Sequence, residues 1–333
     1  LDLITQGLLG AALAQGAARR EELKLATGIG LVAGVLADAD ILIRSSGDPL
    51  LNLEYHRHFT HALVFVPVGA LLAALLAWPL IRRKLRFARV YLFALLGYSL
   101  SGVLDASTSY GTHLFWPFSD IRVAWSIISI VDPVFTLVLL LAVLAGLRLR
   151  AATPAYVGLL VAGTYMAVGW YQHDRAERAT MELAQQRGHG VQRIVVKPTL
   201  GNLILWRSVY LSGGHFHVDA LRLTPGEQPQ IYPGGRLQRI VPEHDLGLPS
   251  SSRLYGDVLR FENFSGGYLV RHPRQAGVLG DIRYAMLPDS LEPLWGIKVD
   301  MLRPDEHARY ETFRDTSAQS RRRFLSMLLG EDP

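Results

Sequence analysis

The sequence predicts a polytopic α-helical membrane domain of about six segments over residues 1–172, followed by a small, mainly β extramembrane domain with flanking helices over residues 173–333. Three observations predict it. Half of the 333 residues are apolar and only 19% are charged, with a mean hydropathy of +0.20; a soluble globule carries about a quarter charged residues. The charge is uneven: residues 1–172 hold 13 Lys/Arg and 10 Asp/Glu, about 13% of the segment, whereas residues 173–333 hold 21 and 19, about 25%. Finally, the front part contains several apolar stretches near the ~20 residues that a helix needs to cross a bilayer at about 1.5 Å per residue.

The predicted segments follow in order. Residues 3–18 are apolar but lack the basic flank of a cleaved signal peptide, and further segments follow directly. The chain opens on Leu1, which a non-ATG start codon read literally or a trimmed Met would explain. Residues 23–43 carry Asp38 and Asp40 near their end, and residues 59–81 contain no Asp, Glu, Lys or Arg. Residues 88–110 carry Arg89 and Asp105, residues 123–147 are interrupted by Asp132 alone, and residues 154–171 run up to His173-Asp174-Arg175. Beyond them, residues 172–187 have helical composition and Gly188 to Gly190 stop the helix. Short runs rich in β-branched and aromatic residues then read as strands: 193–196, 203–211, 215–223, 258–261, 268–271, 282–286 and 295–299. A last helix is expected over 304–329, with the basic run Arg321-Arg322-Arg323. His215 and His217 share one strand face, a pattern that fits an exposed face better than a metal site.

Composition also excludes. Hydrophobicity this high is incompatible with intrinsic disorder. Cysteine is absent, so no disulfide framework, thiolate nucleophile or thiolate metal site exists, and any metal must be held by His and carboxylate. The net charge of +5 and pI near 9.5 divide into +3 and +2 over the two parts, so neither carries the basic stripe of a nucleic-acid binder. No nucleic-acid partner is expected; the lipid bilayer is.

Orientation follows from the Lys and Arg residues in short loops. Arg19, Arg20 and Lys24, then Arg82, Arg83, Lys84, Arg86 and Arg89, then Arg148 and Arg150 all fall on one side if six segments alternate. That side is cytoplasmic, which places the chain in a bacterial-type inner membrane with the C-terminal domain on the outer, periplasmic side. The same alternation gathers Asp2, Asp38, Asp40, His56, His58, His61, Asp105, His113, Asp120 and Asp132 at the outer ends of their segments. Ionisable groups at membrane depth are costly and usually face one another, a cavity or an ion. Asp105 and Thr108, three apart, share a helix face if the helix persists, whereas Asp38 and Asp40 reach one ion only if their helix ends or unwinds. An interfacial polar cluster that merely flanks a span is the alternative for His56, Arg57, His58 and His61.

The stretch Tyr55-His56-Arg57-His58-Phe59-Thr60-His61 resembles the His-Arg-x-x-Thr-His signature of the YdjM-like membrane-bound metal-dependent hydrolases. Leu104-Asp105-Ala106-Ser107-Thr108-Ser109-Tyr110-Gly111-Thr112, followed by Phe115-Trp116-Pro117-Phe118-Ser119, is similar to that family's second block. Asp2-Leu3-Ile4-Thr5-Gln6, the pair Asp38 and Asp40, and Val131-Asp132-Pro133 match further elements, so the resemblance covers about the first 140 residues. More distantly it extends to the zinc-dependent phospholipase C and P1-nuclease group. Two positions depart from the pattern: Ser101 and Gln6 stand where many members place a His.

The resemblance implies one divalent ion, zinc foremost, held by His56, His61, Asp105 and one of Asp38 or Asp40. Such an ion with an open position acidifies bound water to a pKa of about 7, giving a nucleophile for a phosphoester or related bond. Arg57 is expected to fork onto a phosphate, Asp40 or Asp132 to act as general base, and Asp2, Thr60 and Thr108 to support ligands or substrate from behind. A site at the outer membrane face suits a lipid or lipid-linked phosphoester. The alternative is a non-catalytic membrane scaffold or binding protein with a degenerate metal site; a transporter finds no internal repeat to support it.

Overall fold

Asp2 caps the first helix. Its carboxylate accepts the N–H groups of Ile4 and Thr5, and α1 runs Leu3–Gly16 with two of its open amide donors satisfied. The computed structural model describes residues 2–45 and 47–331, so Leu1 lies outside the described residues. α2 (Leu23–Leu36) tightens into a 3-10 stretch, Ala37–Leu42, and α3 (Leu51–Tyr55) is short. Two 3-10 turns, Phe59–His61 and Leu63–Phe65, lead into α4 (Val66–Ile81). α5 (Phe87–Ser99) and α6 (Ser101–Ala106) are separated at Leu100. α7 (Pro133–Leu149) starts with Asp132 as cap and Pro133 at the first helical position, where its missing N–H costs nothing. α8 spans Thr153–Gln186, and Gly188, at φ +71°, ends it in the left-handed region open to glycine.

Among the described residues, three helical stretches are long and apolar enough to cross a membrane: Leu23–Leu42, Leu63–Ile81 and Phe87–Ala106. Three of the six expected crossings thus meet both the length and the hydropathy. α1, with 14 residues, and α7, with 17, fall short of the ~20 that a hydrocarbon core asks for. The expected segment 123–147 is helical only from Pro133. Before it, Thr112 and Val123 exchange backbone hydrogen bonds of 3.0 and 2.8 Å, and the N–H groups of Trp125 and Ile127 return to the carbonyls of Ala106 and Ser107. An apolar run can be buried in extended form when its backbone finds such partners.

The helices pack through small residues. A Cβ on Gly10 would lie 2.3 Å from the Gly30 carbonyl oxygen and 2.7 Å from that of Gly97, so α1, α2 and α5 meet backbone to backbone. Ala14, Ala26, Ala33, Ala70 and Ala73 continue the seam, the packing that serves helices lacking a hydrophobic drive toward each other. The opposite face of α4 leaves Leu71, Leu72, Leu75, Leu76 and Leu80 exposed, the pattern of a lipid-facing surface.

The chain divides into two compact units. One comprises the residues up to Ile43, Tyr55–Tyr171 and Leu200–Asn202; the other comprises Arg44–Glu54, Gln172–Thr199 and the chain from Leu203 onward. The second unit contains two four-stranded antiparallel sheets. The first has the order β1 (Arg193–Pro198), β2 (Leu205–Ser212), β3 (His215–Arg222), β4 (Gln230–Gln238), with a register shift at Val218/Asp219. α9 (Pro242–Asp245) and α10 (Arg253–Phe264) lead to the second sheet, β5 (Leu269–Arg271), β6 (Val278–Asp281), β7 (Trp295–Lys298) and β8 (Arg309–Thr312), and α11 (Ala318–Leu329) closes the chain.

Three local expectations change here. Residues 258–261 are helical, because buried Leu254, Asp257, Val258, Phe261 and Phe264 repeat at three and four residues behind the Ser252 cap. Residues 282–286 are not a strand: the Asp281 carboxylate accepts the N–H of Arg283, a local turn that ends β6. The final helix begins at Ala318 and not near 304, since β8 pairs with β7 and Ser317 supplies the cap.

Candidate metal centre

The 3-10 stretch after α2 is what lets Asp38 and Asp40 work together. On that stretch they flank one imidazole: Asp38 Oδ1 lies 3.4 Å from His61 Nε2, and Asp40 Oδ2 lies 3.4 Å from His61 Nδ1. His61 itself sits on a single 3-10 turn. Arg57, at φ +58°, reverses the chain before that turn and donates its backbone N–H to Asp40 Oδ2 at 2.8 Å. Thr60 donates its hydroxyl to the same oxygen at 2.7 Å and lies 3.0 Å from His61 Nδ1. Tyr98 holds the turn from behind, donating to the Thr60 carbonyl at 2.7 Å.

Asp105 arrives on α6. Gly102 makes the approach possible, because a Cβ there would lie 2.0 Å from the His61 carbonyl oxygen. Asp105 Oδ2 then stands 2.9 Å from His61 Nε2 and 3.2 Å from Arg57 Nε. Thr108 donates to the Asp105 carbonyl at 2.8 Å and accepts from Arg57 Nη1 at 3.3 Å. The Arg57 guanidinium lies over the Tyr110 ring at 4.9 Å.

One ligand atom from each of Asp38, His61 and Asp105 lies within 4.8 Å of the others, and all three residues are buried. Asp38 Oδ2 and His61 Nε2 have no hydrogen-bond partner; the Nε2 contacts are close but not aligned as hydrogen bonds. Buried polar atoms left in this way are rare. Among the described residues, Asp38, Asp40 and Asp105 gather three carboxylates around the Arg57 guanidinium and two imidazoles. The donor set therefore fits a hard or borderline divalent ion.

Not every expected residue joins this group. His56 lies on the far side of Asp40, its Nδ1 3.1 Å from Asp40 Oδ1, with its ring edge-on to Tyr110. Asp40, with both oxygens engaged by His56, Arg57 and Thr60, backs His61 and does not stand in the trio. Asp132 caps α7 through Phe135 N–H and accepts from the Tyr165 hydroxyl at 2.9 Å. Asp2 caps α1 and accepts from the Thr5 hydroxyl. Arg57 is buried and directed at Asp105 and Thr108.

The structure adds Tyr98, Gly102, Tyr110 and Thr112, the last donating to the Arg57 carbonyl at 2.9 Å; of these only Tyr110 and Thr112 fell in a quoted motif. The two departures from the family pattern are neighbours, since Gln6 Nε2 donates to the Ser101 carbonyl at 3.2 Å. Next to the group, the His113 and His58 rings meet tilted, with centroids 4.5 Å apart, and burial, helped by Arg122 and His58, pushes the His113 imidazole down to about 4.

A helical bundle with stretches long and apolar enough to cross a membrane, and a buried Asp/His group at the ends of two of them, defines a membrane protein. The family model described as YdjM inner membrane protein matches residues 1–176, more than half of the chain, and the chain belongs to that family of inner membrane proteins. Inner membrane protein YbcI of Escherichia coli (strain K12) is 33% identical over 105 residues, covering 30% of this chain and 60% of that protein. The chain thus spans about three-fifths of the length of that curated relative. No solved structure matches the chain.

Proposed function

We propose that the protein is a membrane-bound, metal-dependent hydrolase that cleaves a phosphoester or related bond of a lipid-like substrate at the outer membrane face. The convergence of buried Asp38, His61 and Asp105 within 4.8 Å carries this reading. One divalent ion, zinc foremost, would be held by these three residues. When bound it supplies a Lewis acid that polarises a phosphoryl or carbonyl oxygen and acidifies water.

The chain's own residues do the rest. The Thr60 hydroxyl, at 3.0 Å, and Asp40, at 3.4 Å, face His61 Nδ1, the arrangement that selects tautomer and orientation in metal-ligating histidines. Thr60 and the Arg57 backbone hold Asp40 in turn. The Arg57 guanidinium beside Asp105 offers a positive charge to an anionic group entering the site. With Gln6 and Ser101 bonded to each other, the reading is of a single ion. The basic loops face the cytoplasm if α1, α7 and the first half of α8 also cross, which puts the trio and the C-terminal domain on the periplasmic side.

The test is turnover of an activated phosphodiester by the purified full chain. Activity that chelator abolishes, zinc restores and His61→Ala removes is the expected result. A chain that carries metal and turns over no phosphoester belongs to the second reading, a non-catalytic scaffold, which the Arg57–Asp105 ion pair favours because it stabilises the cluster without chemistry.

A further inference from the structure

The loop between α6 and α7 does more than connect. From Gly111 to Arg122 it forms a knob whose neck is closed by the Thr112/Val123 bridge. Its tip is knit by backbone bonds from Trp116 to His113, from Phe118 to Phe115 and from Ser119 to Phe115, at 3.2, 2.9 and 3.2 Å. A segment this well bonded has its own fixed shape, yet it turns large apolar side chains outward: Phe118 is 86% exposed, Ile121 70% and Phe115 49%. Such a patch is normally covered by something.

Three observations identify the cover. The knob's base is bonded to the start of a membrane-crossing stretch, since Leu63 N–H donates to the Leu114 carbonyl at 3.0 Å. Leu63 and Val64, at that start, are themselves exposed, so the knob's base is bonded to the head of the largely exposed apolar stretch Leu63–Ile81. The composition is also that of a membrane interface, with Trp116, Tyr110 and Arg122 set among the apolar residues and the Arg122 guanidinium over the Tyr110 ring at 5.1 Å. We infer that the knob is an interfacial wedge, with Phe115, Phe118 and Ile121 seated at the headgroup–acyl boundary of the bilayer.

The wedge is also tied to the metal centre. His113 N–H and the Thr112 hydroxyl both donate to the Arg57 carbonyl, at 3.3 and 2.9 Å, so the residue beside Asp105 hangs from the neck of the knob. A lipid molecule contacting the tip lies next to the segment that carries Arg57. The wedge stands on its own geometry and holds whether or not the trio performs hydrolysis.

The absence of cysteine makes the test clean. Phe118→Cys and, separately, Ile121→Cys carry an environment-sensitive fluorophore in the full chain reconstituted into phosphatidylcholine/phosphatidylglycerol vesicles. Both labels are expected to emit to the blue of the same dye on free cysteine. They should be quenched by lipids bearing a nitroxide near the headgroup, within the ~5–10 Å that an interfacial element penetrates, and should lose quenching by aqueous iodide. Labels that both report water, with full iodide quenching and none from lipid, overturn the inference. So does disulfide cross-linking of unlabelled Phe118→Cys into a dimer in vesicles, which would make a second copy the cover.

Discussion

Asp38, His61 and Asp105 in the helical unit and Asp48, Asp257 and His307 in the β-containing unit each bring three ligand atoms within 4.8 Å of one another. By composition the two groups are the same. Their surroundings are not. In the second group Arg260 answers every acid: Nη1 and Nη2 fork onto Asp48 at 3.0 and 2.8 Å, Nη1 also reaches Asp257 at 3.1 Å, and Nε and Nη2 reach Glu54 at 2.5 and 2.9 Å. The other oxygen of Asp257 accepts from Ala308 N–H at 2.9 Å and lies 2.8 Å from His307 Nδ1. Arg260 holds the Asp48 carboxyl below the usual carboxylate range, and water screens a group whose Asp48 and Glu54 side chains are 27% and 39% exposed. In the first group, among the described residues, Arg57 pairs with Asp105, and Asp38 Oδ2 and His61 Nε2 find no hydrogen bond. Proximity of acids and imidazole is common to both groups; burial and unpartnered polar atoms distinguish the first and make it the candidate.

The contrast can be broken most severely without touching a ligand. Gly102→Ala drives a methyl group into the His61 carbonyl, parting His61 from Asp105; metal content of the purified variant is expected to fall to background while the β-containing unit keeps its circular dichroism. Asp40→Asn leaves the trio in place but weakens the support of His61, and competition with a fluorescent chelator should read a loss of about 10–100-fold in metal affinity. Arg260→Ala acts only on the second group: it should destabilise the chain by about 1–3 kcal/mol in denaturant unfolding and leave metal content unchanged.

The smallest effect is a pH dependence. His113 is neutral in the fold down to about 4, whereas an unfolded histidine takes up its proton near 6.5. The unfolded chain therefore binds more protons between these values, so His113 contributes full stability above about 6.5 and loses it as pH falls toward 4. The thermal midpoint in detergent should drop over that window by more in the unaltered chain than in His113→Gln.

How much of this was legible beforehand depends on the kind of signal. All three converging residues stood among the expected ligands, because costly polar groups at the ends of apolar segments are visible in any sequence. The choice between His56 and His61 was not legible, since it rests on the left-handed Arg57 turn and the 3-10 unwinding at Asp38–Asp40, neither of which leaves a periodic trace. Asp2 and Asp132 were readable as caps: each directly precedes a helix, and Asp132 is followed by proline. Residues 258–261 show the usual ambiguity of a short apolar run, which only the wider period of α10 resolves.

Asp38, His61 and Asp105 are expected to hold an ion, and Asp48, Asp257 and His307 are not. Elemental analysis of the detergent-purified chain by inductively coupled plasma mass spectrometry tests it directly, with His61→Ala and His307→Ala beside the unaltered protein. One divalent ion per chain, lost in His61→Ala and retained in His307→Ala, is the expected result. Equal metal in all three proteins, or a loss confined to His307→Ala, would contradict it.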